Sequence, residues 1–296
     1  YGAGDELHLA FNFGFLGTKW SAEAFRDAAA TWYAALPEGA WPVFTLSNHD
    51  QPRHAWRYRG RDAVETEGRA GLAAALLLSL RGTPFLYYGE EIAMGCHRLP
   101  RSRLRDPLGI KTWPLAFLGR DPERRPMQWS ADAGAGFSRG GGRREGEAGD
   151  AAAGVGPANH DAGLAPAGAP EPWLPLNPDW RERNVEAQLG DPTSVLSRYR
   201  ELLALRRSHP ALREGSLRFF EAGKDVLAYE REGGGERLLV FLNFASSPRR
   251  FVLSETAEIV FGEGRRGAGI GDEGGHRFGP GGKELEPLGC LILRMA

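Results

Sequence analysis

Apolar and polar positions fall into two regimes along the chain. In the first, short apolar runs alternate with longer segments of helical period. His8–Phe13 reads as a short strand rich in aromatics. Ser21 then stands where a helix N-cap belongs. Phe25, Ala28, Ala29, Trp32 and Leu36 follow at helical spacing and make one apolar stripe. Val43–Leu46 is a second apolar strand. Ala70–Leu80 is apolar nearly all round, which predicts a buried helix, and Gly82 sits in a C-cap place. Phe85–Tyr88 is a third strand. Strand, helix, strand, helix, strand with short connections is the pattern of a parallel sheet wrapped by helices.

From Gly89 to about Pro175 the pattern is loop-like. Ser138–Ala169 is dense in Gly, Ala and Arg and reads as a flexible insertion, because it offers too little apolar surface to order itself. A strong helix follows. Asp191 is its expected cap, Pro192 its first turn, and Leu196, Tyr199, Leu202 and Leu203 its apolar face. Arg206, Arg207 and His209 suit its C-terminal dipole, and Pro210 stops it. Beyond Gly215 the period becomes two. Ser216–Glu221, Val226–Arg231, Arg237–Asn243, Arg249–Leu253, Glu258–Phe261 and Leu288–Arg294 are the expected strands of a small antiparallel β-sandwich. The expected division is therefore 1–214 and 215–296.

Composition changes this picture only by exclusion. The 296 residues carry a net charge of -1, so no global field draws in nucleic acid or an anionic membrane surface. Cys96 and Cys290 are too few and too far apart for a disulfide framework or a zinc site. A reducing, cytoplasmic setting is the expectation. No apolar run reaches the ~18–20 residues that span a bilayer. The sequence opens on Tyr1 without a signal-peptide pattern and reads as starting inside a longer protein. No oxygen-ligand cluster has metal spacing, so neither metal nor cofactor is expected.

The candidate chemistry lies at the strand ends. Asn48-His49-Asp50 directly follows the second strand. A carboxylate beside an imidazole there can grip adjacent hydroxyls of a sugar and add negative charge beside a developing oxocarbenium ion. The same triplet reads equally well as a turn, since Asn and Asp are turn residues. Glu90 and Glu91 end the third strand. Neighbours on an extended chain point to opposite sides, so they cannot both flank one glycosidic bond, and a structural role is favoured. Arg120–Trp129 (RDPERRPMQW) is a charged loop leading to an aromatic.

Together with Asp5–Phe13 (DELHLAFNF), Ser47–Arg53 (SNHDQPR), Gly82–Glu91 (GTPFLYYGEE), Arg105–Gly109 (RDPLG) and Pro172–Pro175 (PWLP), these motifs resemble the α-amylase superfamily (glycoside hydrolase family 13). Within it they resemble the α-glucosidase and oligo-1,6-glucosidase group. The motifs come in family order along nearly the whole chain. The resemblance implies a (β/α)8 TIM barrel followed by a β-sandwich, with the three strands here as the sixth, seventh and eighth. It implies that Asp50 is the carboxylate that stabilises the transition state. His49 would hold sugar hydroxyls, Arg124 would line the bottom of the glucose pocket, and Arg53 would lie near its mouth. The family's nucleophilic Asp and acid/base Glu belong to the fourth and fifth strands, which this sequence does not match. The expected partners are an α-glucoside oligosaccharide and the N-terminal part of the barrel. The expected reaction of the whole enzyme is retaining hydrolysis of terminal α-glucosidic bonds, with no activity from this segment alone. Sucrose isomerases, trehalose synthases and glucosyltransferases of the family are alternatives. A transporter heavy-chain-like relative without catalysis is another, and the intact triplet argues against it.

Overall fold

The computed structural model describes residues 2–115, 119–138, 172–262 and 277–296. Most of the expected insertion at 138–169 lies outside them. The first half is built around two parallel strands, β1 (Val43–Thr45) and β2 (Thr83–Phe85), paired Val43 to Thr83 and Thr45 to Phe85. Helix α1 (Ala22–Ala35) precedes β1, and its N-terminus is capped by the Ser21 hydroxyl accepting from Ala24 N at 3.3 Å. Helix α2 (Ala63–Ser79) crosses over between the strands. Asp62 caps it, and from Ala70 to Ser79 every residue is buried.

The His8–Phe13 strand does not form. Residues 8–12 are irregular, and a short helix begins at Phe13. A strand needs a neighbour to take its backbone groups, and among the described residues β1 pairs only with β2. Leu7, Leu9, Phe11 and Phe13 are left largely exposed, with Phe11 set edge-on to Phe85 at 4.8 Å between centroids.

Helix α3 (Val195–Ser208) packs on α2. Its cap is Ser194, whose hydroxyl accepts from Ser197 N at 3.1 Å, rather than Asp191. The Asp191 carboxylate is taken by Thr193 two residues on, through its N–H and hydroxyl, both at 2.7 Å. The helix ends at Ser208, just before Pro210 as expected, and Pro210 opens a second short helix, α4 (Pro210–Glu214).

The remainder is antiparallel. Strands β3 (Ser216–Phe220), β4 (Val226–Gly233), β5 (Glu236–Asn243), β7 (Ala257–Phe261), β8 (Arg277–Phe278) and β10 (Cys290–Met295) form a sheet in the order β3-β4-β5-β10-β7-β8. Strands β6 (Arg249–Leu253) and β9 (Gly281–Leu285) pair as a separate ribbon. Alternation decides which layer each face meets. Leu238, Val240 and Leu242 of β5 join a core with Phe25, Phe44, Leu72, Leu76 and Tyr199, whereas Phe241 faces Phe251, Leu253 and Leu285 of the ribbon. The large sheet is thus covered by helices on one side and by the ribbon on the other.

Two arginines join these layers at the C-terminus of α2, where the last carbonyls lack helical partners. Arg206 of α3 donates to Leu78 O at 2.7 Å, Leu80 O at 3.1 Å and Gly82 O at 2.6 Å. Its charge stands in the last turn of its own helix, as expected, while its donors go to the end of α2 and the loop beyond. Arg231 of β4 donates to Ser79 O, to Ser216 O at 3.0 Å and to Gly215 O at 3.1 Å. The C-cap of α2 is Leu80. Gly82 serves close approach instead: at φ +141° a Cβ there would sit 2.8 Å from Pro42 O. Burial pushes the Arg231 guanidinium down to about 10, so it stays charged at neutral pH. Replacing Arg231 by Met should cost about 3 kcal/mol by leaving these carbonyls without donors. Urea unfolding of that variant, beside Arg218→Met at an exposed arginine that should change stability by no more than about 0.5 kcal/mol, checks this.

Candidate active site

The loop after β1 is folded by its own side chains. Thr45 donates its hydroxyl to Ser47 O at 2.8 Å, and the Ser47 hydroxyl accepts from His54 N at 2.9 Å. Asn48 Oδ1 accepts from Asp50 N at 2.9 Å, an Asx turn. The triplet is therefore a turn, and Asp50 and His49 stand on it. Their side chains are 44% and 65% exposed beyond the C-terminal end of β1.

Two guanidinium groups converge on Asp50. Arg124 Nη2 lies 2.8 Å and Arg120 Nη1 3.4 Å from Asp50 Oδ1, while His49 Nε2 stands 3.4 Å from Oδ2. Arg124 Nε also donates to His49 O at 2.9 Å, so one side chain fixes both neighbours. Arg120, which the sequence reading did not single out, is itself held. Asp106, nearly buried, accepts from Arg120 Nη2 at 2.8 Å and from its backbone N at 2.8 Å. Hydrogen bonding by the Arg120 side chain holds the Asp106 carboxyl down at about 2, against its burial. Asp121 Oδ2 accepts from the backbone N of Arg105 at 2.6 Å and of Asp106 at 2.9 Å. The loops at 104–107 and 120–125 are thereby stapled together.

Arg53 is not at a pocket mouth. It is fully buried. Its Nε donates to Tyr88 O at 2.8 Å and Nη2 to Glu123 O at 3.0 Å, while Nη1 lies 3.7 Å and its backbone N 3.3 Å from Cys96 Sγ. Its guanidinium sits over the rings of Tyr87 and Tyr88, at 5.2 and 4.7 Å. With its donors taken inside the protein, it positions loops and does not meet solvent. Cys96 and Cys290 are both free and buried.

Glu90 and Glu91 lie in a short 3-10 turn, with Glu90 wholly buried beneath the site. Gly89 makes the turn possible. It has φ +85°, and a Cβ there would meet Arg53 Nε at 2.9 Å. Burial pushes the Glu90 carboxyl up to about 8, although the nearby Ser47 hydroxyl draws it down. Burial likewise raises Glu123 to about 7, against the pull of Arg53 and Arg124. His54, whose Nε2 meets the Tyr199 hydroxyl at 3.1 Å, is lowered to about 3 by burial and by Arg57 and Arg53.

Beside Arg124 opens a cavity of about 400 Å3 walled by Trp129, Phe137 and Trp173. A larger one of about 520 Å3 lies between the large sheet and the ribbon, and neither Asp50 nor any arginine near it lines that space. Among the described residues no cluster of His, Cys, Asp or Glu could hold a metal, and no helix is long and apolar enough to cross a membrane.

Paired parallel strands with charged loops beyond their C-terminal ends define a site of the α/β enzyme kind. The family model described as alpha amylase, catalytic domain, matches residues 7–142 and 157–215, and the chain belongs to that family. It is 33% identical over 243 residues to a probable alpha-glucosidase of Rhizobium meliloti (strain 1021), covering 82% of this chain and 38% of that protein. It is 29% identical over 280 residues to an oligo-1,6-glucosidase of Parageobacillus thermoglucosidasius, covering 84% and 44%. Within the family it groups with these α-glucosidases. Among solved structures, the alpha-glucosyl transfer enzyme XgtA superposes with a TM-score of 0.78 at 30% identity, over all of this chain and 48% of that one. The trehalulose synthase MutB from Pseudomonas mesoacidophila MX-45 does so at 0.76 and 27%, over 98% and 51%. The chain spans about half the length, or less, of the relatives it matches.

The raised carboxyls set a pH dependence. Glu90 binds its proton more tightly folded than unfolded, so its stabilisation is present at low pH and lost as pH rises toward about 8. His54 works in the opposite direction, but only below its ordinary value of 6.5. Between pH 6.5 and 8 the unfolding free energy should therefore fall, by roughly 2 kcal/mol for Glu90 alone. Denaturant titrations of the Glu90→Gln variant across that window should show a flatter dependence than the parent.

Proposed function

We propose that Asp50, His49, Arg124 and Arg120 form one wall of the glucose-binding pocket of a retaining α-glucosidase. The observation that carries this reading is the Asp50 carboxylate. It projects beyond the end of β1, beside an exposed imidazole, with two guanidinium groups fixed against it. Asp50 hydrogen-bonds hydroxyls of the distorted ring and stabilises the cationic transition state, while His49 and Arg124 hold the non-reacting hydroxyls. Planar guanidinium groups suit that task because their donors are fixed in direction.

In this reading the nucleophile and the acid/base, which a retaining enzyme holds about 5–5.5 Å apart, come from outside these residues. β1 and β2 are the seventh and eighth strands of a (β/α)8 barrel, the segment around residues 8–13 completes the sixth, and 215–296 forms the β-sandwich domain. The exposed apolar side chains of Leu7, Leu9, Phe11 and Phe13 support this, since a face of that kind is the sort that neighbouring strands cover. The substrate class is an α-glucosidic oligosaccharide. Glucosyl transfer to a sugar in place of water is the second reading, favoured by the likeness to a transfer enzyme and a trehalulose synthase.

In the complete enzyme, Asp50→Asn should lower kcat/KM on a small α-glucoside by about a thousandfold, roughly 4 kcal/mol of transition-state stabilisation. Near-normal kcat/KM would remove Asp50 from the reaction. The 296-residue chain alone should not hydrolyse an aryl α-glucoside. Turnover that persists after host glucosidases are removed would contradict the placement of the other two carboxylates. Product analysis with sucrose separates hydrolysis, which yields free glucose and fructose, from transfer, which yields a rearranged disaccharide.

A further inference from the structure

The cavity of about 520 Å3 between the large sheet and the ribbon is remote from Asp50 and its arginines, and the glucosidase reading leaves it unused. The strands that wall it do so in two different ways. β3 lines it with Arg218 and Phe220, and β5 with Arg237, Leu239 and Phe241. These are alternate residues, as a sheet face presents them. β6 and the residues after it line the cavity from Arg250 to Glu255 without a gap. A consecutive run of that kind is what a strand edge presents, since a face shows only every second side chain.

β6 pairs with β9 and, among the described residues, with no second strand. In an antiparallel ladder every second residue turns its N–H and C=O away from the paired strand, and such an edge is a template for another extended segment. The two faces of β6 differ. Phe251 and Leu253 are buried toward the large sheet, with Phe251 4.3 Å and Phe220 5.6 Å from Phe241 between ring centroids. Arg250 and Val252 alternate with them on the outer face and are exposed. The acids around the cavity are already paired: Glu230 with Arg218 at 3.2 Å, Glu255 with Arg237 at 2.6 Å and Glu221 with Arg26 at 2.7 Å. Arg250 has no acidic partner among the described residues. The space therefore offers open main-chain groups, an apolar inner wall and one uncommitted positive charge on its outer side.

We propose that the free edge of β6 takes up an extended peptide segment of another protein, in which apolar residues alternate with acidic ones. Main-chain hydrogen bonds to the edge hold it, and side-chain positions two apart select it. Its apolar residues lie beside Phe251 and Leu253, over Phe220 and Leu239, and its acidic residues lie beside Arg250 on the outer face, because paired strands share their faces. A small amphiphile would satisfy the apolar wall but leave the main-chain groups open. A second copy of this chain cannot bring its own β6 here, since that edge faces the same confined space between sheet and ribbon.

Fluorescence anisotropy of a fluorescein-labelled peptide of about six residues, alternating valine and aspartate, tests this on the 296-residue chain. Binding should saturate and be about tenfold tighter than that of the matching valine–lysine peptide. Methylating the amide nitrogens of one alternate set should abolish binding, and methylating the other set should leave it unchanged, as pairing along a single edge requires. Arg250→Glu, at an exposed position, should reverse the preference between the two peptides. No saturable binding, equal binding of the two peptides, tolerance of both methylated sets, or an unaltered preference in Arg250→Glu would each overturn the proposal. Sedimentation showing that the chain dimerises through β6, or decanoate binding where the peptide does not, would assign the edge to another occupant and overturn it as well. None of these readouts involves Asp50 or glucoside turnover, so the outcome is independent of the glucosidase reading.

Discussion

The arrangement around Asp50 depends on one buried cation. Arg53 follows the triplet by three residues, and its guanidinium reaches the loop after β2 at Tyr88 and the loop at Glu123. No other side chain described here ties these three loops together through one charged group. A buried charge is costly unless its donors are satisfied. Here the acceptors are main-chain carbonyls and a thiol, so the cost is offset only if the loops stay where they are. The two tyrosine rings beneath it add attraction and exclude water. Lysine could not replace it, since a single ammonium cannot address carbonyls in two directions from one planar group.

Above this floor the polar side chains are held in a definite order. Asp106 holds Arg120, Arg120 and Arg124 hold Asp50, and Arg124 holds the backbone of His49. Each member near the surface is positioned by one that is more buried. That gradient leaves exposed groups that present fixed directions without collapsing onto one another, as the proposed glucose pocket requires. It also places Glu90, whose carboxyl burial pushes up to about 8, in the interior with its proton held at neutral pH, where its charge would otherwise compete with Asp50 for the arginines.

Much of the fold was legible because period carries it. The helix stripe of α1, the apolar run of α2 and the alternating strands β3 to β7 follow from spacing alone. The exceptions have particular causes. His8–Phe13 has strand composition, but a strand is a pairing, and no spacing reveals that the partner is lacking among the described residues. The ribbon strand β9 reads Gly-Gly-Lys-Glu-Leu and has no alternation, so its pairing with β6 was invisible. Asp191 and Ser194 are equally good caps in sequence, and only geometry decides that Asp191 is taken by Thr193. At the site, Asp50, His49 and Arg124 lie together. Arg120 was missed although it lies in the same charged run, because nothing in that run says which arginine faces Asp50. Arg53 was misplaced for a deeper reason: a buried arginine has the same one-letter signature as an exposed one.

The most direct measurement is a crystal structure of the Arg53→Met variant. If Arg53 organises the site, the sheets and helices will remain as they are, while the 47–54 and 120–125 loops shift and the Asp50–Arg124 pair, 2.8 Å apart here, separates. If that pair persists at hydrogen-bonding distance with the loops unmoved, the triplet is set by its own turn, and the buried arginine is only filling.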